Sequence, residues 1–208
     1  MNKIVFLGGG GHAKVLIDLI NLSGKYKIAG ILDPNLEADI KISDIPVLGN
    51  EELLPSLYKR GIKNACIAVG SVKDNSKRKA LCKKVKHEGF LLPALIHPSA
   101  LIASRSYIRD GAQIMAGAII QTDSSIGENT IVNTGAIVEH DCTVGSHVHI
   151  CPGAVISGGC TIGDGSFIGA GAAVLQSIKI GSNAVVAAGA VVIADVPNNG
   201  KVMGIPAR

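Results

Sequence analysis

Two groups of residues in this sequence could carry chemistry, and the first is centred on His140. It stands between Glu139 and Asp141. A carboxylate beside an imidazole holds one tautomer of the ring and stabilises the imidazolium that forms when the ring takes up a proton. We therefore predict that His140 is a general base towards an attacking amine or hydroxyl, oriented by a flanking carboxylate. The alternative for His140 is a solvated histidine in an acidic surface turn. We predict that His147, at a turn position, is solvated.

The second group is the glycine run Gly8–Gly11, followed by His12. The run comes after a predicted strand and opens a predicted helix, where backbone N–H groups and the helix dipole favour a phosphate. Asp33 ends the next predicted strand, a place from which an acidic side chain commonly accepts a hydrogen bond from a ribose or base. The pattern favours a nucleotide site over the alternative, a tight turn with a glycine facing the helix.

The elements around the glycine run alternate between strand and helix up to about residue 95, which predicts a small Rossmann-like βαβ domain. Such a domain lacks the second half of a dinucleotide fold, so a sugar nucleotide fits it better than NAD. The predicted strands are Lys3–Leu7, Lys27–Leu32 and Ala65–Val69, and the predicted helices are His12–Leu22, Glu51–Arg60 and Asp74–His87.

A strict repeat fills the rest of the chain. From Ile102 to Val192 every sixth residue is Ile or Val, sixteen positions in all, and the residue two places earlier is usually small or β-branched. Two inward residues in alternation make a short strand. The pattern is the hexapeptide repeat of a left-handed parallel β-helix, in which three strands form one triangular coil of about eighteen residues. We predict about five coils, with Cys142 and Cys160 as small fillers at the corners.

These two patterns divide the chain into domains at residues 1–95 and 96–208. The proline-containing segment Leu92–Ser99 forms the joint. Pro197–Gly200 breaks the repeat and is predicted to leave a tail from Lys201 to Arg208.

The spacing of two histidines bears on the assembly of the site. His140 is predicted at a corner of the coil, and His149, half a coil later, on a flat side. Within one subunit they should lie too far apart to share a substrate. Around a threefold axis, a corner of one subunit can meet a side of its neighbour. We therefore predict an active site between subunits.

Composition excludes several classes of protein. Aromatic residues make up 3% of the chain and Trp is absent, while the net charge of +4 comes without a basic run, so nucleic-acid binding has little support. The five cysteines show no zinc-ligand spacing, and we predict reduced thiols in a cytoplasmic protein without a metal. We expect no signal peptide and no membrane span, since no stretch approaches 20 apolar residues.

With these residues in place, the chain resembles the sugar O-/N-acyltransferases that include sialic acid O-acetyltransferases and the UDP-4-amino-sugar N-acetyltransferases of the bacillosamine pathway. The resemblance covers nearly the full length. It is carried by the segments Gly8–Lys14, Ile96–Ala100, Asn133–Thr134, Glu139–Cys142, Gly145 with His149, and Gly204–Arg208.

The resemblance implies a homotrimer that transfers the acetyl group of acetyl-CoA to a sugar, with His140 as base, assisted by Asp141, and direct attack of the acceptor on the thioester. It implies that His149 and Asn133 contact the thioester or pantetheine end, that backbone amides near Gly153, Gly171 and Gly189 line the pantetheine groove, and that Lys201 and Arg208 contact the CoA phosphates. It also implies that Gly10, Gly11, His12 and Asp33 hold the nucleotide of the acceptor. For Lys14, a contact with the nucleotide and a place on the helix surface are equally good interpretations.

The acceptor stays open at this point. The 4-amino group of a UDP-linked sugar is favoured, O-acetylation of a sialic acid-type sugar is the alternative, and GDP-linked acceptors occur in similar proteins. A non-catalytic sugar-nucleotide sensor is a third hypothesis. A γ-type carbonic anhydrase shares the β-helix, but the spacing of residues 140, 147 and 149 lacks its arrangement of zinc ligands.

Overall fold

A computed structural model describes residues 1–71 and 74–208 of the chain, which form two compact units. The first unit takes in Met1–Ser71 and Ser76–Leu95. The second takes in Ile96–Arg208 together with Asp74 and Asn75. The side-chain amide of Asn75 donates to the carbonyls of His147 and Gly165 at 2.8 and 3.0 Å.

The first unit is built on one sheet of strand order β3-β4-β2-β1-β5. Strands β2 and β5 flank β1 in parallel, β4 is parallel to β2, and only β3 runs antiparallel to its neighbour. Apolar side chains such as Val5, Leu7 and Ile67 are fully buried. The elements are β1 (Asn2–Leu7), α1 (Gly11–Ser23), β2 (Tyr26–Leu32), β3 (Lys41–Ile42), β4 (Ile45–Gly49), α2 (Leu54–Lys59), β5 (Asn64–Ile67) and α3 (Ser76–His87).

The predicted βαβ pattern is confirmed, with differences at the ends of elements. The segment predicted as one helix from Glu51 begins as a 3-10 turn, and α2 follows with Pro55 in its first turn, where proline needs no intrahelical donor. Strands β3 and β4 have no counterpart in the prediction. Their short runs lack a period long enough to detect, and it is the pairing of β4 with β2 that makes them strands.

The second unit is a prism of two-residue strands arranged on three faces. Face 1 holds β7, β10, β13, β16, β19 and β22; face 2 holds β8, β11, β14, β17 and β20; face 3 holds β6, β9, β12, β15, β18, β21 and β23. The strands are β6 (Leu95–Ile96), β7 (Leu101–Ile102), β8 (Tyr107–Ile108), β9 (Gln113–Ile114), β10 (Ile119–Ile120), β11 (Ser125–Ile126), β12 (Ile131–Val132), β13 (Ile137–Val138), β14 (Thr143–Val144), β15 (His149–Ile150), β16 (Val155–Ile156), β17 (Thr161–Ile162), β18 (Phe167–Ile168), β19 (Ala173–Val174), β20 (Lys179–Ile180), β21 (Val185–Val186), β22 (Val191–Val192) and β23 (Lys201–Val202).

The predicted register of the left-handed β-helix is confirmed. Each Ile or Val of the sixfold repeat is the second residue of its strand, and strands eighteen residues apart pair in parallel, as Ile119 and Ile137 do. The inward aliphatic residues form one core along the prism, and Cys142 and Cys160 fill fully buried positions within it. The three faces hold seven, six and five strands, which make six coils rather than the predicted five.

The extra strands lie at the two ends of the repeat. Strand β6 precedes the first residue of the repeat, and β23 follows the break at Pro197–Gly200 and pairs with β21. The predicted tail therefore begins with a strand, and only the residues after Val202 lie outside the coils. No helix among residues 1–71 and 74–208 has the length and apolar character needed to span a membrane.

Candidate functional site

The glycine run forms one wall of a cleft at the carboxyl edge of the first sheet. The cleft has a volume of about 340 Å³ and is lined by Gly8, Gly10, Gly11, His12, Asp33, Ala68, Val69, Gly70 and Lys77. Gly10 is the N-cap of α1, and no side chain caps the helix there. The first turn of α1 therefore faces the cleft with its positive dipole end, which suits a phosphate. All four residues predicted to hold a nucleotide line this one cleft.

Asp33 shapes the glycine run as well as lining the cleft. Its Oδ2 accepts a hydrogen bond from the Gly9 N–H at 2.8 Å, and its Oδ1 accepts from the Asn35 N–H at 3.0 Å. Gly9 has little room for a side chain, because a Cβ there would lie 2.5 Å from Leu36 Cδ1. The carboxylate thus joins the ends of β1 and β2, and part of its capacity to accept hydrogen bonds is used by the protein itself.

Sequence reasoning missed the opposite wall of the cleft, which consists of Ala68, Val69, Gly70 and Lys77. The first three follow β5, so their place at the same carboxyl edge as Gly8 could have been inferred from the parallel pairing of β1 and β5. Lys77 lies in the first turn of α3 and adds a cation to the cleft. Nothing in its local sequence separates it from the other lysines of that helix.

The buried Arg78 side chain supports the backbone of this wall of the cleft. Its side chain is 2% exposed, and its guanidinium donates to the carbonyls of Ile67 and Val69 at 2.9 and 2.6 Å. Burial lowers the pKa of Arg78 to about 10, so the group stays charged at neutral pH. The buried cation therefore fixes the backbone that carries Val69 and Gly70 to the cleft.

In the second unit, His140 lies at the corner that follows β13. Its Nδ1 is 2.8 Å from Asp141 Oδ2, and its side chain is 52% exposed. Asp141 has a left-handed backbone conformation, with φ at 58°, which turns its carboxylate back onto the ring. When Nδ1 carries the proton that Asp141 accepts, Nε2 is left with a lone pair. The arrangement is that of an oriented imidazole base.

The surroundings of His140 favour its charged form. The hydrogen bond to Asp141 is the largest effect and raises the pKa of His140. Desolvation opposes it, and the charges of Asp141 and Glu139 add to the rise. The predicted pairing of His140 with Asp141 is present in the structure. The imidazolium that forms on proton uptake is stabilised by the carboxylates of Asp141 and Glu139.

His149 has a different environment on face 3. It is 7% exposed, its ring meets Phe167 edge to face at 5.4 Å between centroids, and its Nε2 is 3.1 Å from Asn133 Nδ2. Asn133 Oδ1 accepts from the Thr134 N–H at 2.8 Å, which orients the amide so that Nδ2 faces the ring. Because Nδ2 can only donate, Nε2 accepts and the proton of the neutral ring is on Nδ1. The predicted pair Asn133 and His149 is therefore in direct contact.

An apolar groove of about 610 Å³ begins beside Phe167 on the same face. Its lining residues are Cys151, Pro152, Phe167, Gly169, Ala170, Val185, Ala187, Ala188, Lys201, Val202 and Met203. Lys201 is its cationic member. Burial raises the pKa of the Cys151 thiol to about 12, so this thiol stays protonated at neutral pH and is not a nucleophile. The groove suits a long, uncharged chain better than a covalent intermediate.

Three glycines predicted to serve this groove have another task. The N–H groups of Gly153, Gly171 and Gly189 donate to carbonyls of the coil before at 3.0, 3.0 and 2.8 Å, which joins the corners of successive coils. The residues just before them, Pro152, Ala170 and Ala188, line the groove instead. Within the described part of the chain, the Ala170 and Ala188 N–H groups have no hydrogen-bond acceptor. Arg208 lies outside the groove lining, and its backbone pairs with Met203.

The two histidines do not meet within one chain. His140 occupies the corner between β13 on face 1 and β14 on face 2, whereas His149 lies on face 3, across the prism from that corner. His140 and the groove beside Phe167 therefore lie in two separate places on one chain. His147 is half-buried rather than solvated, and its Nδ1 lies 3.0 Å from Asn129 Nδ2. Within residues 1–71 and 74–208, no three His, Cys, Asp or Glu side chains cluster as metal ligands would.

Comparison with known proteins matches both units. Residues 3–85 match the family model described as the PglD N-terminal domain, and residues 123–158 and 159–194 match the bacterial transferase hexapeptide model of six repeats. Among curated proteins, the chain is 36% identical over 116 residues to UDP-N-acetylbacillosamine N-acetyltransferase of Bacillus subtilis (strain 168). That match covers 56% of this chain and spans about half of the relative, 52% of its length.

Solved structures match over the whole length. PerB from Caulobacter crescentus, in complex with CoA and GDP-perosamine, has a TM-score of 0.92 and 38% identity, covering 100% of this chain and 97% of that one. The acetyltransferase domain of PglB from Neisseria gonorrhoeae, in complex with acetyl coenzyme A, has a TM-score of 0.90 and 36% identity, covering 100% and 99%.

Proposed function

Because this chain belongs to the family of hexapeptide-repeat sugar N-acetyltransferases with a PglD-type N-terminal domain, we propose that it transfers an acetyl group from acetyl-CoA to an amine of a nucleotide-linked sugar. The observation that carries the proposal is the full-length match, at 38% identity, to an enzyme solved with CoA and GDP-perosamine. The His140 corner, the groove on face 3 and the cleft of the first unit offer the groups that this reaction needs.

The reaction requires one oriented base and no nucleophile from the protein. The acceptor amine attacks the thioester carbonyl while His140 Nε2 takes up the proton that the amine loses. The tetrahedral intermediate then collapses to the amide, and the CoA sulfur leaves as the thiolate, which the imidazolium of His140 can protonate. Asp141 keeps the ring in the tautomer that accepts the proton. The protonated Cys151 thiol supports direct transfer over an acyl-enzyme.

Acetyl-CoA is assigned to the groove on face 3. The apolar lining fits the pantetheine arm, and the N–H groups of Ala170 and Ala188 lie one coil apart, where they can donate to amide carbonyls of that arm. Lys201 offers a cation to the CoA phosphates, with Arg208 as a second candidate. His149, which contacts both Phe167 and Asn133, is assigned together with Asn133 to the thioester end.

The acceptor nucleotide is assigned to the cleft of the first unit. Gly10, Gly11 and His12 present the N-terminus of α1 to the diphosphate, with Lys77 as an added cation, and Asp33 lies at the ribose or base end. We propose a UDP-linked 4-amino sugar as the first candidate, in agreement with the Bacillus subtilis relative, and a GDP-linked amino sugar as the second, in agreement with the Caulobacter crescentus relative. O-acetylation of sialic acid-type sugars and a sensor role have no support among these relatives.

The proposal is tested by following thiol release from acetyl-CoA with a panel of acceptors: UDP-4-amino sugars, GDP-4-amino sugars and sialic acids. Turnover with one nucleotide-linked amine and none with sialic acid is the expected result. Turnover with sialic acid alone would establish O-transfer. Tight binding of UDP or GDP without thiol release from any acceptor would favour the sensor.

A change in pH dependence is expected for Asp141→Asn. The pKa of His140 is raised above its ordinary value, so the base is protonated and inactive at low pH, and kcat/KM should rise with pH through that raised pKa. Asn tolerates the left-handed conformation of residue 141, but it replaces the charged carboxylate that raises the pKa of His140 with a neutral amide, whose oxygen is a weaker acceptor. The rising limb should shift to lower pH and the plateau should fall. A limb that stays in place while the plateau falls would show that Asp141 does not set the pKa.

We further propose a homotrimer whose active site combines His140 of one subunit with His149 of the next. The two histidines lie across the prism from each other within a chain, and face 1 presents an outward ladder of apolar residues suited to a partner subunit. That ladder consists of Leu101, Ile119, Ile137, Val155, Ala173 and Val191.

Complementation between variants tests this arrangement. His140→Ala and His149→Ala should each be inactive alone. Equal amounts unfolded together and refolded, or co-expressed, should recover about a quarter of wild-type activity, because one in about four random subunit pairs brings an intact His140 next to an intact His149. No recovery from a mixture that sedimentation shows to be trimeric would place both residues in one subunit's site.

We also propose a cytoplasmic location, in keeping with five free, buried cysteines.

A further inference from the structure

The corner that carries His140 recurs on every coil, and its occupants lie in a column along the prism. Residues eighteen apart in the chain stack on successive coils, since paired strands are offset by that number. His140 is followed in this column by a glycine, which no other coil has at this corner. The column consists of Ser104, Thr122, His140, Gly158, Gln176 and Ala194.

The imidazole of His140 lies directly against Gly158. A Cβ built on Gly158 would be 2.6 Å from both Cε1 and Nε2 of the ring and 3.2 Å from Nδ1. These are closer than real Cβ atoms approach other heavy atoms, so any side chain at residue 158 takes the space that the ring occupies. The backbone around this contact is paired, with the Gly159 N–H donating to the His140 carbonyl at 2.9 Å.

Gly158 is not required by backbone conformation. Its φ lies outside the left-handed region, unlike that of the neighbouring Gly159, whose φ is +70°. An alanine is therefore allowed at residue 158 as far as the backbone is concerned, and what it would displace is the end of a half-exposed side chain. The expected consequence is a moved imidazole with little loss of stability.

We infer that Gly158 is a positioning residue for His140, a bare stretch of backbone on which the imidazole rests with Nδ1 towards Asp141 and Nε2 towards the acceptor. The inference rests on the proposed role of His140 as base. A ring pushed off this surface loses the 2.8 Å contact with Asp141 Oδ2, and with it both the tautomer and the raised pKa.

Gly158→Ala tests the inference, with Gln176→Ala as the matched control. Gln176 is exposed and lies one coil further along the same column. Gly158→Ala should lower kcat about tenfold while KM for acetyl-CoA stays within about twofold. Gln176→Ala should retain wild-type kinetics, and both should keep the wild-type Tm within about 2 °C. Wild-type kcat in Gly158→Ala would overturn the inference.

A double-mutant cycle separates this role from a general structural one. In a His140→Ala background, Gly158→Ala should lower kcat by less than about twofold, because Gly158 acts through the imidazole ring that this background lacks. A full tenfold loss in that background would overturn the inference.

A readout without turnover separates the failure of this inference from the failure of the proposed function. The pKa of His140, followed by NMR of the ring Cε1–H, should fall in Gly158→Ala and stay unchanged in Gln176→Ala. If His140→Ala alone keeps wild-type activity, the proposed base is wrong, and the NMR titration still decides whether Gly158 positions the ring. An unchanged titration in Gly158→Ala would overturn the inference.

Discussion

His140→Ala is expected to lower kcat by about 10²- to 10⁴-fold, the range that a positioned general base contributes. The amine that attacks the thioester must lose a proton, and the described geometry offers Nε2 of His140 for it, with Nδ1 held 2.8 Å from Asp141. Since the side chain is half exposed and lies outside the core, its removal should leave the fold intact. KM for acetyl-CoA should change less than about threefold, because the groove on face 3 is untouched.

His87→Ala is the matched control for this experiment. His87 lies at the end of α3 with a side chain that is 87% exposed, and its removal should leave turnover at the wild-type rate. Added imidazole should restore part of the activity of His140→Ala if the missing group is a base. Turnover of His140→Ala within about twofold of wild type would mean that another group takes the proton.

Arg78→Met is expected to lower the free energy of unfolding of the first unit by about 2–4 kcal/mol, since two buried carbonyls lose their donor. Ile67 and Val69 accept from the guanidinium at 2.9 and 2.6 Å, the first in a buried place and the second in a partly buried one. Because these carbonyls lie at the end of β5, the loss should also weaken binding of UDP or GDP in the cleft that Val69 and Gly70 line.

Native-state hydrogen exchange of the β5 amides measures this effect better than a global melting curve, since two units need not unfold together. Lys83→Met removes an exposed cation from the same helix and should change stability by less than about 0.5 kcal/mol. The loss of stability in Arg78→Lys should lie between those of Arg78→Met and Lys83→Met. Equal exchange rates in Arg78→Met and Lys83→Met would show that the carbonyls find other partners.

The prediction of a sugar acetyltransferase was confirmed at the level of family because its evidence is spread along the chain. Glycines before a helix and a histidine between carboxylates are local patterns, and each was predicted from neighbours in sequence. The roles assigned to Asn133, His149, Lys201 and Arg208 stay predictions. For two of them the structure adds a contact, the one between Asn133 and His149, that neither residue's own surroundings in sequence indicate.

The sequence by itself determined the architecture of this protein. A β-helix is built from contacts between residues at fixed separations, so the six-residue repeat of Ile and Val gives its register directly. Every Ile or Val of the repeat packs inward as predicted. The glycine run and Asp33 were found in the same way, because the ends of parallel strands meet at one edge of a sheet.

Only the tertiary structure decided which atoms meet between distant segments. In the structure Lys77 lines the cleft and the His140 ring lies against Gly158. The N–H groups of Gly153, Gly171 and Gly189 donate to carbonyls of the preceding coil. These outcomes depend on side-chain direction and on competition for hydrogen bonds, which a repeat does not encode. A periodic sequence determines where each backbone segment lies. The packing of side chains between segments determines which functional groups come within reach of one another.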